Sequence, residues 1–92
     1  MAHKLAYIVF YDNNRIDPRG GDRHMRCAAF DSFAKAYNAA AEDVDYFMAH
    51  GAHIQREWYN DTNIRYANTA QITMRMPNDE LLNINIVPSY VN

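Results

Sequence analysis

Between Asp31 and Gly51, apolar residues recur at three- and four-residue steps: Phe33, Ala36, Tyr37, Ala40, Val44, Phe47 and Met48. That spacing gathers side chains on one face of a 3.6-residue helix and predicts a helix over residues 32–50. Asp31 or Ser32 is placed to accept a hydrogen bond from an otherwise unpaired amide of the first turn. Gly51 can end the helix, because glycine enters left-handed backbone without a Cβ clash. The apolar stripe is small in the middle and bulky at both ends, a shape that lets a helix lie close against a twisted sheet.

Outside this stretch the period drops to two. Residues 4–11 (KLAYIVFY) predict a strand, with Leu5, Tyr7, Val9 and Tyr11 on one face and Ala6, Ile8 and Phe10 on the other. Both faces are apolar, the mark of a strand inside a sheet and covered on both sides. Residues 12–22 read as a long loop, with turn formers at Asn13–Asn14, Asp17–Pro18 and Gly20–Gly21. Residues 23–30 predict a second strand, antiparallel to the first. A third is expected over 52–59, then a turn at 60–63 and a short optional strand at 64–67. Residues 71–76 and 81–87 alternate cleanly around the turn Pro77–Glu80 and predict a hairpin with one apolar and one polar face. The tail, residues 88–92, reads as loose. The order β-β-α-β-(β)-β-β implies an α+β fold: an antiparallel sheet of four to six strands with one main helix packed on one face.

Ninety-two residues make a single domain, 1–92, with a modest stability margin. An apolar share of 49% and a charged share of 22% are ordinary for a packed protein. Cys27 is the only cysteine, which rules out an intrachain disulfide and a four-cysteine zinc site. The apolar run at the start of the chain is short for a signal peptide, and no segment approaches the roughly 20 apolar residues of a membrane span. The expectation is a cytoplasmic protein without a membrane partner.

A net charge of −2 supplies no overall basic field for nucleic acid. The charge is uneven, however. Arg15, Arg19, Arg23 and Arg26 crowd the loop and second strand, whereas Glu42, Asp43 and Asp45 crowd the second half of the helix. Negative charge there opposes the helix dipole. Such a cluster suits a partner with a basic surface, and its ordinary meaning is a solvated face. The arginine loop could grip phosphate, with glycine allowing close approach. It lacks any nucleotide-binding fingerprint, and Asp12, Asp17 and Asp22 offset its charge.

His50 and His53, three apart, invite a metal site completed by His24 or Cys27. A helix stop between them separates their faces, so a histidine at a helix C-terminus is the plainer account. Cys27, between Met25 and Ala29 on one strand face, reads as a small buried hydrophobe rather than a nucleophile. No metal or other cofactor is expected.

Seven tyrosines and one tryptophan exceed what one small core needs, and these residue types anchor protein interfaces. A single helix covers one face of a sheet, so the apolar far side of the first strand must meet a loop, a second copy or another protein. The leading expectation is a non-catalytic small binding protein that occludes a macromolecular partner, most simply a protein, with a homodimer through the uncovered face as an option. Tyr11, Arg15, Arg19, Arg23, Glu42, Asp43, Asp45, Trp58 and Tyr59 are its candidate contact residues. In size and in the lack of a catalytic constellation the chain is of a kind with phage and mobile-element accessory proteins that inhibit a host protein or complex, an analogy of type rather than a sequence match. The alternative is a nucleic-acid-binding module using the arginine-rich loop 15–26. A small enzyme or metal-binding protein using His24, His50 or His53 ranks third.

Overall fold

The structure, a computed structural model, describes residues 4–13, 27–60 and 67–91. Six elements follow in the order β1 (Lys4–Asn13), β2 (Cys27–Phe30), α1 (Phe33–Ala49), β3 (His53–Tyr59), β4 (Ala70–Arg75) and β5 (Leu81–Val91). The five strands form one antiparallel sheet in the order β2-β1-β5-β4-β3. One helix lies on one side of it, as the α+β pattern predicts.

The helix starts where its cap requires. Ser32 is extended, and its hydroxyl accepts from the Lys35 amide at 3.2 Å. At the other end Gly51 adopts φ +99°, its amide bonds the Met48 carbonyl at 3.1 Å, and the Ala52 amide returns to Phe47 at 3.0 Å. This paired closure needs a left-handed residue at the position after the cap, which glycine occupies without strain. Because α1 joins β2 to β3, the two sheet edges, it must cross the sheet, and it touches β1, β2, β3 and β5.

Cross-strand pairs share a face, so the register sorts the side chains. Val9 pairs with Ile86, Tyr11 with Ile84, Ile84 with Ile72 and Met74 with Leu82, and all lie in or against the core under α1. Phe33, Ala36, Ala40 and Val44 close that core from the helix, with Tyr37 and Phe47 half-buried at its margins. Met48, expected in the stripe, is 47% exposed. It sits one position beyond Phe47, and a 100° step carries it off the buried arc.

The far face divides in two. Ile8, Phe10 and Val87 are half-buried there, and among the described residues no helix lies over them. Toward β3 the face turns polar and self-bonded. Gln71 donates to Asn85 at 3.0 Å, Thr73 to Asn83 at 2.8 Å and Arg75 to Gln55 at 2.7 Å.

One boundary differs from the sequence pattern, and two fall partly outside the described residues. The second strand is described only from Cys27, and residues 23–26 lie outside the described residues, as do 64–66 of the optional strand; Ala67 is buried but not in a strand. The tail is not loose. Pro88, Ser89, Tyr90 and Val91 continue β5 and pair with Tyr7, Ala6, Leu5 and Lys4. Proline fits because β4 ends opposite Ile86, so this part of β5 is flanked by β1 alone among the described residues. A residue without an N–H is tolerated along such an open edge.

Candidate protein-binding surface

The candidate residues do not converge. Tyr11 is 6% exposed, under the helix, and its hydroxyl donates to the Asp43 carboxylate. This bond ties β1 to α1, so Tyr11 holds the fold together and is not displayed as an anchor. Asp43 is likewise engaged inward and half-buried, apart from its acidic neighbours. Arg15, Arg19 and Arg23, with Arg26 and His24, lie outside the described residues, and so does the Cys27 side chain.

Trp58 and Tyr59 point opposite ways. Trp58 pairs with Gln71 on the far face and is 50% exposed, while Tyr59 pairs with Ala70 on the helix side. There Tyr59 ends an aromatic row. Tyr7 meets Phe33 edge-on at 5.8 Å, Phe33 stacks on Tyr37 at 6.3 Å, and Tyr37 meets Tyr59 at 6.1 Å. The Tyr59 hydroxyl donates to Glu57 at 2.8 Å and lies 3.3 Å from that of Tyr37. Burial, then the hydrogen bonds to Tyr37 and Glu57, push its pKa far above the ordinary 10.0. A phenol so engaged contributes to the fold more than to a partner.

What remains together is the outward stripe of α1. Glu42, Asp45, Tyr46 and Ala49 follow at three- and four-residue steps and are all exposed. Tyr46 is 59% exposed, and its ring rests against His50 at 4.3 Å, with His50 Nδ1 bonded to the Tyr46 carbonyl at 2.8 Å. Among the described residues neither Glu42 nor Asp45 has an ion-pair partner, and the last turn carries no basic residue. Tyr46 is the exposed aromatic residue of this stripe that the sequence pattern did not single out. The helical wheel carries the signal, since an aromatic residue four positions after Glu42 falls outside the apolar arc.

A small cleft opens beside this stripe, between α1 and the β1–β2 edge. It holds about 90 Å³ and is lined by Val9, Tyr11, Ala28, Phe30 and Ala39, with Glu42 and Asp43 on the helix side. Larger, open hollows of about 370 Å³ by the β4–β5 turn and about 360 Å³ beside Tyr7 and Phe33 hold one carboxylate each, Glu80 and Asp31. Among the described residues no group of three His, Cys, Asp or Glu side chains could hold a metal ion, and no helix is long and apolar enough to cross a membrane. His50 at the helix end and His53 in β3 are both exposed. Comparison with known proteins found no match among family models, curated proteins or solved structures.

Proposed function

We propose that the chain is a non-catalytic binding protein that occludes basic surface on a protein partner with the outward stripe of α1. The observation that carries this is Tyr46, an exposed aromatic ring set among two carboxylates that have no ion-pair partner among the described residues, on one helical stripe. Tyrosine supplies contact area at low entropic cost, and the charges steer encounter with a basic partner. Two negative groups in the half of the helix where the dipole opposes them lower helix stability. A contact with positive charge would offset that cost. Inhibition then follows from coverage, with no chemistry required of the chain.

The test is affinity capture with nuclease-treated host lysate, using wild-type protein beside Glu42→Lys/Asp45→Lys and Tyr46→Ala variants. The expected result is a protein partner held by the wild type and lost from both variants while neither variant melts below the wild type. The same partner held equally by all three would overturn the assignment, and capture that vanishes with nuclease would move it to nucleic acid.

A further inference from the structure

The cleft between α1 and β2 extends the acidic stripe into the body of the protein, and the geometry points to it as a socket for one arginine side chain of the partner. Its floor is apolar, with Val9 and Tyr11 almost fully buried, and its walls are the half-buried Phe30 and Ala39 and the exposed Ala28. Glu42 belongs both to this cleft and to the stripe of Asp45 and Tyr46, so the two form one continuous surface. A volume of about 90 Å³ is small beside the roughly 300–1,000 Å³ of pockets that enclose whole small molecules. That room suits a single side chain rather than a drug-sized ligand.

The lining selects the occupant. Apolar walls favour a methylene stem, and a carboxylate at the side favours a cation at its tip, the combination that arginine and lysine present. Asp43 is already bonded to Tyr11, which leaves Glu42 to meet the incoming charge. The planar guanidinium matches a carboxylate in two parallel hydrogen bonds and lies well against an aromatic ring such as Phe30, which favours arginine over lysine. This inference rests on the proposed function, because it names what the partner's basic surface inserts.

The test separates the two. A capped hexapeptide of alternating glycine and arginine is titrated into the 92-residue chain and followed by amide resonance shifts, beside its lysine and citrulline versions. Saturable shifts at Ala28, Phe30 and Ala39 are expected with the arginine peptide, weaker ones with lysine and none with citrulline. Ala39→Leu and Ala28→Val fill the cleft from the helix and strand sides respectively. Each should weaken arginine-peptide binding at least fivefold while Gln71→Ala, on the far face of the sheet, leaves it within twofold, and thermal melts confirm that both fillers fold. Shifts confined to Asp45–Ala49 with unchanged affinity in both fillers would overturn the socket and leave the stripe standing. Absence of arginine-peptide binding, or self-association that both fillers abolish, would overturn it too, the latter by making the occupant a second copy.

Discussion

Trp58 and Tyr59 are consecutive residues on opposite faces of the sheet, Trp58 beside Gln71 on the far face and Tyr59 beside Ala70 under the helix. Substituting them together would mix a surface effect with a structural one. Trp58→Ala removes a half-exposed ring and should change stability by less than about 0.5 kcal/mol, the usual range for surface positions. Tyr59→Ala takes the end from the aromatic row and removes the hydroxyl beside Tyr37, so about 1–3 kcal/mol is expected. Denaturant melts of the two single variants measure the difference. Equal losses would mean that Trp58 contributes to the fold as much as Tyr59 does.

The Tyr59 hydroxyl also sets an alkaline limit. Its folded pKa lies above the unfolded value, so the neutral phenol is the form the fold favours. The sign follows from that: the contribution is fully present below pH 10.0, the ordinary tyrosine value, and declines as pH rises beyond it. Ultraviolet titration should show one tyrosine ionising well above the ordinary value of 10.0. Glu57→Gln removes a negative neighbour and should bring that late step down.

Tyr11 and Asp43 join β1 to α1 across thirty-two positions of sequence. Asp43→Ala leaves a buried hydroxyl without that acceptor and should cost about 1–3 kcal/mol, whereas Tyr11→Phe should cost about 0.5–1.5 kcal/mol. The double variant should be less destabilised than the two losses added together, because the second change removes the group that the first leaves stranded. Strict additivity in a double-mutant cycle would show the bond to be dispensable.

Gly51 closes the helix in a conformation that side chains resist. At φ +99° an added Cβ would also approach the Pro77 ring to 3.2 Å. Gly51→Ala should therefore cost about 1–2 kcal/mol. In a domain of this size that lowers the melting temperature by several degrees, at roughly 4–8 °C per kcal/mol. A neutral substitution would mean that the backbone turns there by another route.

The helix was legible in the sequence because its cap, its stripe and its stop agree, and the β4–β5 hairpin because strict alternation flanks a run of turn formers. The faces of β3 were not. Plain alternation would put Ile54 and Trp58 on the same side, but the register shifts between Ile54 and Arg56, and Ile54 pairs with Met74 on the helix side instead. A bulge of that kind leaves no sequence mark that a period of two can reveal. The burial of Tyr11 was hidden for a different reason. Its apolar neighbours showed that it faces inward or outward with Val9, but only the fold shows that Asp43 arrives to satisfy its hydroxyl.

The end of the chain supplies the sharpest contrast between pattern and structure. Pro88 and the small polar Ser89 break the alternation of β5, so a sequence reading stops the strand at Val87. In the structure Pro88–Val91 pairs with Lys4–Tyr7, and that half of β1 has Tyr7 against Phe33 at 5.8 Å. Ending the chain at Val87 removes four paired positions and exposes one side of Leu5 and Tyr7 to water. At about 0.5–1.5 kcal/mol for each hydrogen bond lost, roughly 2–4 kcal/mol of stability should go with them. Thermal melts of the truncated chain should show a fall of at least 8 °C at about 4 °C or more per kcal/mol. Amide exchange at Leu5–Tyr7 should accelerate while exchange at Ile72 and Ile84 holds more nearly steady, because those strands keep both neighbours. A truncated chain that melts with the wild type would return the last residues to the status of a loose tail.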